Sequence, residues 1–219
     1  MKDIVIVGTS GFAREIEQLV HDVNAKEPTW RLVGFLDDDR EKHGNTVHGL
    51  PILGGVAWTA SNPTIGTVVA IGAPASRRRV VRALGEAGSP EFPLLVHPSA
   101  VVGRHVRIGP GSIVCAGTTL TTDISIGAHV IMNLHCTIGH DVIVEDFVTM
   151  APGVNISGNV TIEEGSDLGT NSAVIQGQKI GRWSVLGAGT VVVRDVEANV
   201  TAVGVPARTI QRREAGWEL

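Results

Sequence analysis

The chain has no tyrosine, and only four tryptophans and four phenylalanines in 219 residues. So few rings argue against a core of aromatic clusters and suit a narrow interior. Two cysteines, Cys115 and Cys136, are too few for a disulfide framework; they read as packing residues, neither a disulfide nor a metal pair. No apolar run approaches the roughly 20 residues of a membrane-spanning helix. The N-terminus reads as a strand, without the succession of basic region, apolar stretch and cleavage site that marks a secretory leader, so a cytoplasmic protein is expected. A net charge of −4 gives no sign of nucleic-acid binding. The short basic run Arg77-Arg78-Arg79 reads as the solvated face of a helix.

What the chain does have is a period of six. Stepping by six from Val96 gives Val102, Ile108, Val114, Leu120, Ile126, Met132, Ile138, Val144, Met150, Ile156, Ile162, Leu168, Val174, Ile180, Leu186 and Val192, all aliphatic. A second track of small or β-branched residues runs two places ahead, including Ser112, Thr118, Val130, Cys136, Val148, Ser166, Ser172 and Ser184. Six fits neither a 3.6-residue helix nor a plain strand alternation. It fits a hexapeptide β-helix, a prism that turns a corner every six residues. On this reading one aliphatic per side fills the interior, and three sides make a coil. Successive coils stack in parallel at about 4.8 Å, the ordinary interstrand spacing. Glycines that follow the aliphatic, such as Gly103, Gly109, Gly127, Gly139 and Gly181, are expected to serve corners that need positive φ. No interruption of the register is expected from Val96 to Glu197.

Residues 1–92 lack this rhythm. Asp3–Gly8, Leu32–Leu36 and Thr67–Gly72 read as buried strands, alternating with helices from Phe12 to about Val23 and from about Ser76 to Ala87. That order predicts a small Rossmann-like α/β domain on a parallel sheet. Ligands on such sheets bind at the carboxyl ends of the strands, where the turn Gly8-Thr9-Ser10-Gly11 and the acidic run Asp37-Asp38-Asp39 fall. The turn could bring backbone N–H groups to a phosphate or sugar; it is equally what a structural turn needs. The carboxylates could accept hydrogen bonds from ribose hydroxyls or a uracil-type N–H, or simply end a strand in solvent. The organisation expected is an α/β domain over 1–92, a β-helix over 93–205 and a C-terminal tail over 206–219, either a short helix or a disordered end.

The order of domains resembles the hexapeptide-repeat sugar O-/N-acyltransferases of the sialic-acid O-acetyltransferase type, and most of all the bacterial nucleotide-4-amino-sugar N-acetyltransferases of glycan and O-antigen pathways. The matching residues are Gly8-Thr9-Ser10-Gly11, Gly34-Phe35-Leu36-Asp37-Asp38, Ile71-Gly72, Asn133, Ile138-Gly139-His140-Asp141, Asp146-Phe147 with Ala151-Pro152-Gly153, and Gly204-Val205-Pro206-Ala207. The resemblance implies a left-handed parallel β-helix and a homotrimer with active sites between subunits. It implies acetyl-coenzyme A as cosubstrate, with Gly204, Pro206 and Arg208 near it. A nucleotide-linked 4-amino sugar would meet Gly8, Ser10, Gly11, Asp37 and Asp38, and Asn133 would lie near the catalytic centre. His140 would be the base, with Asp141 beside it. Two positions depart from the pattern: Phe12 and Thr149 stand where many relatives carry histidine, which bears on the acceptor rather than on the base.

The chemistry asked of His140 is to take a proton from an amine that attacks a thioester. An ordinary imidazole, with a pKa of roughly 6.5, suits that at neutral pH. Asp141 could fix its tautomer, provided the pair sits at a corner or bulge, or meets across a subunit interface, since neighbours on a strand face opposite ways. Gly158 lies eighteen residues on and hence one coil above His140. It is either an oxyanion donor through its N–H or a plain corner glycine. His129 and His135 read as exposed corners. Three other functions share these residues. One is O-acetylation of a sugar hydroxyl, another a non-catalytic scaffold. The third is a zinc enzyme using His135 and His140, which would need a third histidine where Ser99 stands.

Overall fold

A computed structural model describes residues 1–88 and 90–218. Ser89, in the first expected domain, and Leu219, at the end of the expected tail, lie outside the described residues. The chain forms two compact units: Met1–Gly72 with Ser76–Pro98, and Ala73–Ala75 with Ser99 onward.

The first unit contains β1 (Lys2–Val7), α1 (Gly11–Lys26), β2 (Trp30–Leu36), β3 (Thr46–Val47), β4 (Leu50–Gly54), β5 (Gly66–Val69) and, from Ser76 onward, α2 (Pro74–Ala87). The sheet runs β3-β4-β2-β1-β5, with β4, β2, β1 and β5 parallel and β3 an antiparallel edge. β1 buries Ile4, Val5, Ile6 and Val7, as an apolar run inside a parallel sheet must. On α1 the buried residues Ala13, Ile16, Glu17, Leu19 and Val20 recur at helical spacing and form one stripe. The helix stops at Lys26 because Pro28 turns the residue before it away from helical geometry. Val5, Val7, Leu36, Val69 and Leu84 join β1, β2, β5 and α2 in one core. The basic run departs from expectation at its first residue. Arg77 is buried, and its Nη1 donates to the carbonyls of Ile71 at 2.7 Å and Gly72 at 2.8 Å. Its charge pins the segment that leaves β5.

The second unit is the prism. Two-residue strands beginning at Val101, Arg107 and Ile113 recur every eighteen residues on three faces. The pairs Thr119↔Thr137, Ser125↔Ile143 and Ile131↔Thr149 show the register of the three parallel sheets. All aliphatic positions from Val114 to Val192 are buried, whereas Val102 is 42% exposed at the open first coil.

Three details differ from the sequence reading. Each side buries two residues rather than one. The second track is enclosed as well: Ser112, Thr118, Cys136, Val148, Ser166, Ser172 and Ser184 are fully or almost fully buried. The small residues fit the angle where two faces meet. There Ser112 Oγ donates to Gly127 O at 2.9 Å and accepts from Val130 N, so the polar atoms are satisfied.

Positive φ also falls elsewhere than at the glycines after the aliphatic. It occurs three residues past the aliphatic, at every sixth residue from His105 to Gly189, with φ from 54° to 76°. Nine of these fifteen are not glycine: His105, Asp123, His129, His135, Asp141, Phe147, Asn159, Asn171 and Trp183. The glycine directly after the aliphatic is required by close approach. A Cβ at Gly139 would sit 2.7 Å from the Gly158 nitrogen in the next coil.

Finally, the last coil is two residues short. Val196 bridges Ile180 and Thr201 pairs with Val185, a separation of sixteen, so the register does shift before Glu197. Asp195 Oδ1 caps the Lys179 N–H there at 2.8 Å. The chain then returns as a hairpin, Val200–Val203 antiparallel to Arg208–Arg212. Most of the expected tail is therefore strand or turn, and it pairs across residue 206.

Candidate active site

His140 and Asp141 occupy a corner of the prism. Asp141 has φ 58°, which turns its side chain back on its neighbour, and His140 Nδ1 lies 2.8 Å from Asp141 Oδ2. A carboxylate only accepts, so Nδ1 carries the proton and Nε2 presents its lone pair. The pairing is made within one chain, through the corner geometry. Both side chains are more than half exposed, so the pair faces solvent. One coil above, a Cβ added to Gly158 would fall 2.5 Å from His140 Cε1 and Nε2. Only glycine leaves room for the imidazole at that point. The His140 carbonyl accepts from Asn159 N at 2.8 Å and the Gly158 carbonyl from Gly177 N at 3.1 Å. The Gly158 N–H has no hydrogen bond among the described residues.

The next corner shows what that open N–H means. In three of its coils the equivalent N–H group is capped by a carboxylate, whereas Asp146 N has no hydrogen bond among the described residues. Ala128 N donates to Asp146 Oδ1 at 2.7 Å, Glu164 N to Glu145 Oε2 at 2.9 Å and Arg182 N to Glu163 Oε2 at 3.0 Å. Glu163 is further held by Lys179 at 2.6 Å. Burial raises its carboxyl pKa, but hydrogen bonds from Lys179 and the Arg182 N–H outweigh that and leave it below the usual range. The same corner is filled by rings. His129 is buried, not the exposed corner expected, because it stacks on Phe147 with centroids 5.3 Å apart and planes 6° off parallel. Its ring lies over Gly111, and Trp183 lies over Gly165 in the same way. His135, on the third corner, is exposed as expected and lies over Gly117.

Gly204, Pro206 and Arg208 sit on the C-terminal hairpin. Gly204 O accepts from Val191 N at 3.0 Å, and Ala207 N donates to Val191 O at 2.8 Å, which lays this turn against the prism. Pro206 and Arg208 line a cleft of about 260 Å³ with Val193, Arg194, Asp195 and Thr209. Arg194 and Arg208 form no ion pair among the described residues. Arg194 was not foreseen, although the repeat points to it: His140, Gly158, Gln176 and Arg194 follow one another at eighteen-residue steps. Ile175 and Val193 flank that column and are 42% and 38% exposed. Asn133 stands on another corner, where its Oδ1 accepts from Leu134 N at 2.7 Å. It shares no hydrogen bond with His140.

In the first unit Gly8, Ser10, Gly11, Asp37 and Asp38 gather at the carboxyl edge of the sheet. Gly8 has φ 107°, and a Cβ there would meet Ala70 O at 3.2 Å, so the turn runs close over the end of β5. Ser10 is the N-cap residue of α1 but makes no side-chain cap, and the first turn carries no acid. The open helix N-terminus can take an anion. Burial pushes the Asp37 carboxyl up; hydrogen bonds from Thr9, Lys42 and the Asp39 N–H more than offset it and hold it below the usual range. Asp38 Oδ1 accepts from Val56 N at 2.9 Å, while its Oδ2 has no partner among the described residues. A larger cleft of about 440 Å³, lined by Met1, Lys2, Trp30, Arg31 and Glu91 among others, lies at the amino ends of β1 and β2 and holds none of these residues. No grouping of three or more His, Cys, Asp or Glu residues suited to a metal occurs among the described residues. Ser99 Oγ accepts from Gly117 N at 3.1 Å, so it serves as a backbone cap.

Residues 3–84 match the PglD N-terminal domain family. WeeI from Acinetobacter baumannii AYE superimposes with a TM-score of 0.85 at 31% identity, over 95% of this chain and all of that one. The chain belongs to the hexapeptide-repeat nucleotide amino-sugar N-acetyltransferase family. The perosamine N-acetyltransferase of Caulobacter crescentus, solved in complex with CoA and GDP-perosamine, matches with a TM-score of 0.84 at 29% identity over 96% of this chain and 98% of that one. The UDP-N-acetylbacillosamine N-acetyltransferase of Bacillus subtilis is 35% identical over 127 residues, 53% of this chain and 52% of the relative. The chain thus aligns with about half the length of that curated relative. As in other members of this family, an N-terminal Rossmann-like domain is followed by a left-handed parallel β-helix. No helix among the described residues is long and apolar enough to cross a membrane.

Proposed function

We propose that the protein transfers acetyl from acetyl-coenzyme A to the 4-amino group of a nucleotide-linked deoxysugar in the cytoplasm, as a homotrimer. The observation that carries this is the His140 corner: an imidazole whose Nδ1 proton is held by Asp141 and whose Nε2 sits against a glycine with an unbonded N–H. The amine nitrogen attacks the thioester carbon; the C–N bond forms and the C–S bond breaks. His140 Nε2 takes the amine proton and returns it to the departing thiolate. Asp141 holds the tautomer and favours the imidazolium. The Gly158 N–H receives the carbonyl oxygen as charge develops on it, a donor typically worth about 3 kcal/mol.

The column above His140 suits the coenzyme. Exposed Ile175 and Val193 offer apolar contact to its arm. Arg194 and Arg208, with Pro206 and Gly204 beside them, offer cations to its phosphates about 14 Å away, three interstrand spacings. The turn at Gly8, Ser10 and Gly11 and the acidic loop at Asp37–Asp38 serve the nucleotide sugar. Asn133 supports the catalytic corner.

Purified protein incubated with acetyl-coenzyme A and UDP-, dTDP- or GDP-linked 4-amino sugars should release thiol with one of them and yield a product heavier by one acetyl and stable to hydroxylamine. A hydroxylamine-labile product would assign transfer to a hydroxyl instead. Thiol release with none of the amino sugars would overturn the reading.

A further inference from the structure

Asp37 is the most heavily engaged carboxylate of the first unit. Oδ2 accepts from Thr9 Oγ1 at 2.5 Å and from Lys42 Nζ at 2.9 Å, and Oδ1 accepts from Asp39 N at 3.0 Å. Its main chain is engaged as well: Asp37 N donates to Gly54 O at 2.9 Å, and its carbonyl takes a hydrogen bond from His43 Nε2 at 2.7 Å. The partners come from two segments that the sheet alone does not join. Thr9 lies in the turn between β1 and α1. Asp39, Lys42 and His43 belong to the loop after β2, whose 3₁₀ turn spans Arg40–Lys42. The Asp37 side chain is 16% exposed, and three of the roughly four acceptor sites of its carboxylate are already taken. Asp38 is different. It is exposed, it spends one oxygen on the Val56 N–H, and Oδ2 is open.

We propose that Asp37 is a positioning residue rather than a ligand for the nucleotide sugar. By holding Thr9 and Lys42 together it sets the Gly8–Gly11 turn against the loop of residues 37–45, and Asp38 Oδ2 is the carboxylate oxygen left to meet the ligand. This rests on the proposed function for the identity of the ligand, but not for the anchor itself. Lys42 belongs to the anchor. Its ammonium also lies 3.7 Å from Asp39 Oδ2, so it neutralises a carboxylate cluster that would otherwise push the loop apart. An acid that accepts three donors, one of them cationic, is costly to disengage.

The test compares Asp37→Asn, Lys42→Met, Lys42→Arg and Asp38→Asn in the full-length protein. Amide hydrogen exchange of the ligand-free protein is read over 8–11 and 37–45, with the KM for nucleotide sugar and for acetyl-coenzyme A alongside. Asp37→Asn and Lys42→Met should speed exchange in both segments about tenfold or more and raise the nucleotide-sugar KM, with the acetyl-coenzyme A KM within about twofold. Lys42→Arg should restore both. Asp38→Asn keeps the oxygen that caps Val56, so it should leave exchange unchanged and raise only the nucleotide-sugar KM. Unchanged exchange in Asp37→Asn with a raised sugar KM would make Asp37 a direct ligand and overturn the proposal, as would an unaltered sugar KM in Asp38→Asn. The exchange arm needs no substrate. If the wild type acetylates no amino sugar, the functional reading falls while exchange in Asp37→Asn still decides whether the anchor exists.

Discussion

The corner that carries His140 and the corner that carries His129 share a backbone and differ in what is done with it. Both place a non-glycine residue at positive φ every coil or so, and both leave the N–H two residues past the aliphatic outside the sheet ladder. At the His129 corner that N–H is capped in three coils, by Asp146, Glu145 or Glu163, and the space between coils is filled by stacked rings. At the His140 corner a glycine stands where a cap or ring would close the gap, its N–H is open, and an imidazole–carboxylate pair faces solvent. The N–H groups of Thr122, Gln176 and Arg194 on the same corner have no hydrogen bond among the described residues either, so what sets Gly158 apart is the imidazole held against it.

Substitutions can break this contrast at either corner. His140→Ala should lower kcat by about a thousandfold with little change in Tm, since it removes the proposed base from an exposed site. Gly158→Ala should cost about a hundredfold, because the new methyl occupies space the imidazole now fills and displaces it. A loss below about threefold there would show that the ring has room to spare.

Phe147→Ala sharpens the contrast from the other side. It should lower stability by about 2 kcal/mol through lost stacking and burial, read by chemical denaturation, and leave kcat within about twofold. Glu163→Gln should show its effect only in the pH dependence. The Glu163 carboxyl is held below its ordinary value of 4.5, so its contribution is present above about pH 4.5 and fades as pH falls below that. The Tm difference between wild type and Glu163→Gln should therefore be largest near neutrality and shrink under acid. The smallest effect concerns the thiols. Cys115 and Cys136 form no disulfide and are buried, and burial pushes the Cys136 thiol up to about 11, so neither should react with a thiol reagent at pH 7 until the protein unfolds.

The period of six was enough to read the prism, its parallel stacking and the relation of Gly158 to His140, because a strict repeat converts sequence distance directly into coils. It was not enough to read the corners. The left-handed positions carry histidine, aspartate, asparagine and two large aromatics, which do not announce positive φ as glycine does. The glycines that drew attention are there for close backbone approach. His129 looked exposed because no sequence pattern shows that Phe147, eighteen residues on, would lie over it. Arg77 looked solvated because its acceptors are backbone carbonyls, which any residue supplies. The shortening before Val196 was hidden because Val196 is aliphatic and also fits the unshortened pattern. In the α/β unit the acidic run at the sheet edge was legible. The engagement of Asp37 by Thr9 and Lys42 was not, since it depends on two loops meeting.

The most direct test of the account is amide hydrogen exchange with and without acetyl-coenzyme A, compared between residues 157–160 and residues 163–166. If the open corner receives the thioester, the Gly158 amide should be protected by at least about tenfold on adding the coenzyme, while the carboxylate-capped Glu164 amide should not change. Equal protection at both corners, or none at Gly158 under saturating coenzyme, would contradict the assignment of His140 and Gly158 as the acetyl-transfer site.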